Sequence, residues 1–493
     1  MDGGQTVTVL GNAFAPGMSV TVGGTAVTPA SVTSDSFTFT TPAMSPGYTQ
    51  IQVTTSLGTS PLTSSTGYTF VPLANYVPLQ PFRILDTRTT SCVQCTGRPF
   101  STGTIWKLQL TGVTGLTVGV DPIPTTATAV VLNVAALAGT ANSLLTVYPY
   151  GTQRPTASNL NFGRGKVIPN LVTAAVGEGG AVNIYNAEGT VNVIADVEGY
   201  FVPEASSDVA GEFHPIAPVR ICDTRVQSPT PGCGGNRALG AAAAMVVDVS
   251  GTGSDAIPGD GTAEAAVVNL TGVAGTAATY LSLFPTNSSG GCTYGGSRAP
   301  SFSTLNLPAG TVEANRVMVA LGPSSSGPGT ALCVYNAAGT INVVLDASGW
   351  FGSATAATGS QYQAIGPTRI CDTRPGSGMP CAGHAIGAGG IDMVEVAGAA
   401  GMPTATSSSP AVAVIANLTA VAPTSGTYVT IYPASTTNTP PLASDINVMA
   451  GEVLPNLVVV AIDTVGGAGD GEVDVYNPVG DVNVVIDVEG WFE

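Results

Sequence analysis

A six-residue phrase that returns three times limits this chain to repeats of one module. It reads Arg83-Ile-Leu-Asp86-Thr87-Arg88, then Arg220-Ile-Cys-Asp223-Thr224-Arg225, then Arg369-Ile-Cys-Asp372-Thr373-Arg374. An aromatic residue stands seven places before each opening arginine (Tyr76, Phe213, Tyr362) and a proline two places before it (Pro81, Pro218, Pro367). Half of the twelve arginines lie in the phrase, which random placement does not explain.

Each module closes on a matching strand: Val191 to Phe201, Ile341 to Phe351 and Val482 to Phe492, sharing the pattern Asp-x-x-Gly-aromatic-Phe. Between phrase and terminal strand further segments correspond. Asn133 answers Asn269 and Asn417; Ser158 answers Ser303 and Ser444; Asn170 answers Asn315 and Asn456. Such self-similarity sets the architecture before any local detail. Seven or eight short strands in about 130 residues fit a two-sheet sandwich or jelly roll, whereas a solenoid needs a much shorter repeat. The boundaries are 1–72 for a separate head, then 73–203, 204–353 and 354–493 for the modules. The small polar linkers after Pro203 and Ser353 look flexible, yet the fixed aromatic-to-arginine spacing anchors their ends.

Composition agrees with an all-β class. Only 9% of residues are charged, against about 25% in an average globular chain. The 63 glycines and 36 prolines punctuate turns between strands rich in Val and Thr. The net charge of −17, with Lys107 and Lys166 the only lysines, repels nucleic-acid backbones and anionic lipid. No apolar run approaches the roughly 20 residues of a membrane span. A strand pattern follows Met1-Asp2 directly, which reads as a mature or recombinant start.

The eight cysteines form an even set. Cys222/Cys233 and Cys371/Cys381 are equivalent pairs clipping the loop after the phrase. Cys92/Cys95 serve the same loop in the first module, and Cys292/Cys333 flank an insertion peculiar to the second. Paired usage points to structural disulfides and an oxidising, extracellular setting. Cys92-Val-Gln-Cys95 alone admits a redox or zinc reading, but four zinc ligands are not at hand.

In the head, segments around Thr6–Phe14, Gly17–Gly24, Ser36–Thr40 and Thr49–Thr54 alternate apolar and polar, the mark of half-buried sandwich strands. The spacing of Gly11, Phe14, Gly17, Val20, Gly23 and Gly24 resembles the IPT/TIG family of immunoglobulin-like domains over about 70 residues. Such domains open with one strand more. A trimmed start explains its absence; the sharper alternative is an open sheet edge that accepts a strand from a neighbour.

Period two places Asn192, Asp196, Glu198 and Tyr200 on one face of the first terminal strand, opposite Val191, Val193, Ala195 and Val197. A carboxylate in so apolar a strand needs a partner. The expectation is that Asp196, Asp346 and Asp487 each bind an arginine of their own module's phrase in a two-pronged contact, tying first strand to last. Asp86, Asp223 and Asp372 then order the turn, and Arg225→Lys destabilises the second module.

Other sites are weaker. Asp196/Glu198 as a glycosidase acid–base pair fails at Ser348. His214 and His384 occupy non-equivalent positions and read as solvated. Calcium has candidate oxygens in Asp470, Glu472 and Asp474 and in Asp255 with Asp260, without an EF-hand pattern. Tyr200, Trp350 and Trp491 suit packing against the lead-in aromatic or an arginine better than sugar stacking. Asn269 and Asn417 fit glycosylation acceptors, but their equivalence to Asn133 assigns them to the fold.

The module pattern resembles repeats of large secreted and cell-surface bacterial proteins over about 85% of the chain, which implies location more than activity. The expected role is a non-catalytic extracellular rod or surface component, structural or adhesive and capable of self-association, needing no cofactor and binding neither nucleic acid nor membrane interior. A glycan-binding accessory module and a virion surface protein are the alternatives.

Overall fold

The computed structural model describes residues 6–44, 47–62, 66–90, 94–113, 123–203, 209–225, 233, 237–250, 257–297, 299–407, 409–434, 439–463 and 470–493. Among them the chain is all-β, with no α-helix. The head is a small sandwich. Thr6–Leu10 pairs with Ser36–Thr40 on one side; Thr25–Val27, Ser19–Val22, Gly47–Thr55, Gly58–Thr59 and Gly67–Phe70 form the other. Its own core is Met18, Val20, Val22, Phe37, Phe39, Ile51 and Val53, with Phe14 set edge-on to Phe37 at 4.9 Å.

Each module packs two antiparallel sheets around an aliphatic core. In the first, the inner sheet runs Val167–Ala175, Ala129–Leu137, Asn192–Pro203, Ala74–Asp86, and the outer sheet Leu160–Phe162, Ser143–Pro149, Ala181–Asn186, Ile105–Gln109. The same order recurs in the inner sheets of the other modules. It runs Val312–Ala320, Ala263–Val273, Asn342–Gly352, Phe213–Asp223 in the second, and Val453–Ala461, Ala413–Val421, Asn483–Phe492, Tyr362–Asp372 in the third.

The inner strands are buried on both faces, because the modules are not strung out as a rod. Their inner sheets enclose a shared hub, and those of the first and third join edge to edge into eight strands through a Tyr362–Ala74 pairing. The hub core draws Ala129, Val131 and Leu171 from the first module, Val267 and Met318 from the second, and Ile415 and Leu457 from the third.

A β-bulge in each terminal strand makes this two-sided burial work. The pairing register slips at Glu198, Ser348 and Glu489, where one extra residue sits opposite the neighbouring strand. Beyond the slip the alternation inverts. Tyr200 therefore does not share a face with Asp196 as strict period two predicts: Tyr200, Trp350 and Trp491 turn to their own module cores, and Phe201, Phe351 and Phe492 turn to the hub.

Candidate functional site

The phrase arginines divide their labour. The first of each phrase makes the two-pronged contact across the sheet. Arg83 donates from Nε to Asp196 Oδ1 at 2.9 Å and from Nη2 to Oδ2 at 3.1 Å. Arg220 does the same to Asp346 at 2.9 and 3.1 Å, and Arg369 to Asp487 at 2.8 and 3.0 Å. The second arginine closes the turn: Arg88, Arg225 and Arg374 each donate a backbone N–H and guanidinium N–H groups to Asp86, Asp223 and Asp372. Arg83, Arg220 and Arg369 reach the same aspartates more weakly, at 3.3 to 3.5 Å. The tie between first and last strand thus runs through Arg220, and Arg225, about half exposed, holds only its turn.

Burial pushes the Asp196 and Asp346 carboxyls up against the pull of Arg83 and Arg220. For Asp86 and Asp223 partial burial is the largest influence, but hydrogen bonds and charge from Arg88 and Arg225 overcome it and hold both below the usual carboxylate range. Asp372 is lowered chiefly by its bond from Arg374.

Disulfides join Cys222 to Cys233, Cys371 to Cys381 and Cys292 to Cys333. Cys95 is disulfide-bonded, while Cys92 lies outside the described residues. The Cys292–Cys333 bridge clips the second module's insertion over its outer sheet, where Phe284, Phe302 and Tyr335 are buried. From that insertion Tyr294 reaches the first module and donates its hydroxyl hydrogen bond to the Pro81 carbonyl.

The hub has cyclic chemistry that sequence reading assigned to the fold without seeing its partners. Lead-in aromatics pack on the next module's closing phenylalanine: Tyr76 against Phe351 at 4.4 Å, Phe213 stacked on Phe492 at 4.2 Å, Tyr362 against Phe201 at 4.2 Å. Six buried asparagines repeat the cycle. Asn133 donates to the Ser303 carbonyl at 2.7 Å, Asn269 to Ser444 at 2.5 Å and Asn417 to Ser158 at 2.7 Å. Their own Oδ1 atoms accept from Asn315, Asn456 and Asn170. Asn269 and Asn417 are accordingly inaccessible as glycosylation acceptors.

The bulged residues mark where the three junctions differ. Glu489 accepts from Asn159 at 2.6 Å and from the Thr173 amide at 2.8 Å; Glu198 accepts from the Met318 amide at 3.3 Å. Burial pushes both carboxyls up to about 8. At the remaining junction Ser348 replaces glutamate, and the carboxylate comes instead from Asp445 across the boundary. Arg316 bridges them, donating to Asp445 and, at 3.1 Å, to Ser348 Oγ. Asp196 and Glu198, both buried, are thus spent on different structural tasks. The signal lay in the joint departure of Ser348, Arg316 and Asp445 from the other two copies.

His214 is not solvated: it stacks on Trp350 at 3.8 Å, nearly parallel, with Nε2 buried and unpartnered among the described residues, and burial lowers its pKa. His384 is exposed and pairs with Asp392. Asp260 caps its own turn by accepting from Thr262, and Asp255 lies outside the described residues. No group of three or more metal-ligating side chains converges among the described residues, Asp470, Glu472 and Asp474 included.

At one end of the hub the modules part around an open cavity of about 740 Å³. Its wall takes Phe162, Lys166 and Ile168 from the first module, Leu307 and Glu313 from the second, and Glu452 and Leu454 from the third. Lys166 pairs with Glu452 at 3.2 Å. Burial first, then the Glu452 charge, pushes the Glu313 carboxyl up to about 7 against the opposing pull of Lys166.

Residues 1–70 match the IPT/TIG domain. The IPT/TIG domain accounts for the head and leaves the modules outside the match. No curated protein matches the chain. Among solved structures, SGBP-B from a complex xyloglucan utilization locus in Bacteroides uniformis is 19% identical, over 41% of this chain and 69% of its own, with a TM-score of 0.14. The triple jelly roll protein of an archaeal virus turret is 6% identical over 85% and 97%, at 0.17. A Sulfolobus Turreted Icosahedral Virus protein is 7% identical over 85% and 98%, at 0.16. Scores this low bear on neither fold nor function.

Proposed function

We propose that the chain is a non-catalytic structural or adhesive component that works outside the cell. The observation that carries this reading is the shared hub. The repeated polar residues, which in an enzyme repeat would converge on a cleft, are consumed in Arg–Asp ties that close each module on itself and in an asparagine ring that joins the three modules into one block. Disulfides in every module suit an oxidising surrounding. Two features favour contact with other molecules. In the IPT/TIG domain, Thr6–Leu10 pairs on one side only among the described residues, leaving an edge open to strand addition. On the third module's outer sheet, Tyr428 is exposed and meets the partly buried Tyr476 edge-on at 6.2 Å, which leaves the Tyr428 ring free to take a sugar face.

The test is negative-stain microscopy of the purified chain, with its mass in solution and its retention by bacterial envelopes. Ordered polymers or saturable envelope binding, without release of soluble sugar or peptide, support the reading. A dispersed particle that binds nothing, or turnover of an envelope substrate, overturns it.

A further inference from the structure

We propose that the cavity at the hub end binds an organic cation: a primary ammonium group carried on an apolar body. The cavity exists only because three modules meet, and its volume lies in the range of small-molecule sites. Phe162, Ile168, Leu307 and Leu454 give it an apolar wall. Its charge is two carboxylates against one ammonium. Lys166 is engaged with Glu452, and the Glu313 carboxylate has no hydrogen bond or ion pair among the described residues. A half-buried carboxylate in apolar surroundings gains more from a matched cation than an exposed one does, since water screens it less. An anion would meet Glu313 and Glu452, and a neutral amphiphile would leave Glu313 unmatched. The chain's overall negative charge draws cations towards the mouth.

Octylamine, 1-octanol and octanoate titrated calorimetrically into the full chain test this. At pH 8 octylamine should bind at one site per chain, octanol at least tenfold more weakly, and octanoate without measurable heat. Lowering the pH from 8 to 6 should weaken octylamine about tenfold, because protonating Glu313 removes the competent form while Glu452 stays paired with Lys166. Glu313→Gln, isosteric and breaking no hydrogen bond, should cost octylamine at least tenfold and leave octanol unchanged. Val453→Trp, at an exposed position on the rim, should block both. Equal affinity for octylamine and octanol, an unaffected Glu313→Gln variant, or amine uptake at many sites surviving Val453→Trp would each overturn the proposal.

Discussion

Arg220 and Arg225 differ by five positions and by everything that matters energetically. Arg220 grips a buried carboxylate with two N–H donors, so Arg220→Lys loses one prong and should destabilise the three-module body by about 1.5–3 kcal/mol. Arg225→Lys, at a half-exposed turn, should cost under about 1 kcal/mol. Urea midpoints of the two variants check the ranking. That an arginine would tie Asp346 was legible from a carboxylate in an apolar strand; which arginine was not, because the choice depends on strand register. The hub glutamates make a second prediction. Glu198 and Glu489 have folded pKa values raised above their unfolded ones, so their contribution is complete below about 4.5 and is lost as pH rises through about 8. The urea midpoint should fall between pH 5 and pH 9, and the double variant Glu198→Gln/Glu489→Gln should flatten that slope. On the acid side Asp86, Asp223 and Asp372, held low, contribute above their unfolded pKa and lose that stability as pH falls through the depressed values.

The terminal strand is the element on which the design turns, and its motif glycine shows why. A Cβ at Gly199 would come within 2.4 Å of the Tyr76 hydroxyl, at Gly349 within 2.1 Å of the Phe213 ring, and at Gly490 within 2.3 Å of the Tyr362 hydroxyl. The lead-in aromatic lies flat on the bulge, fixed by the hub, so it cannot yield. Gly349→Ala should therefore cost about 1–3 kcal/mol in thermal unfolding, the usual range for overpacking. Gly240→Ala, whose Cβ meets nothing within 4 Å, is the matched control. Strand positions and the sandwich class were readable because period two and turn residues are local signals, and the triple repeat because its phrase recurs in the sequence itself. The bulge was not. A single inserted residue leaves no mark in an apolar run, and it reverses which of Tyr200 and Phe201 faces the module core.

For the molecule as a whole, the hub makes the three modules one cooperative unit. An excised module would expose Tyr76, Val131, Leu171 and Phe201 or their counterparts, an apolar face with no other cover. Calorimetry of the chain should show one transition for residues 73–493, with equal calorimetric and van't Hoff enthalpies, and a separate one for the IPT/TIG domain with its own core. The ring was hidden from sequence reading because its contacts join residues more than a hundred positions apart, with no local periodicity to announce them. Its closure also bears on chain order. Ala74, Tyr362 and Phe492 sit on neighbouring strands of the eight-stranded sheet, and Gln361 exchanges backbone hydrogen bonds with Glu493. Entry to the first module and exit from the third are thus side by side, as circular permutation requires. A gene recut to read second, third, first would encode the same three-lobed body, its modules told apart not by their place in the chain but by which junction carries Glu198, Glu489 or the Arg316–Asp445 pair.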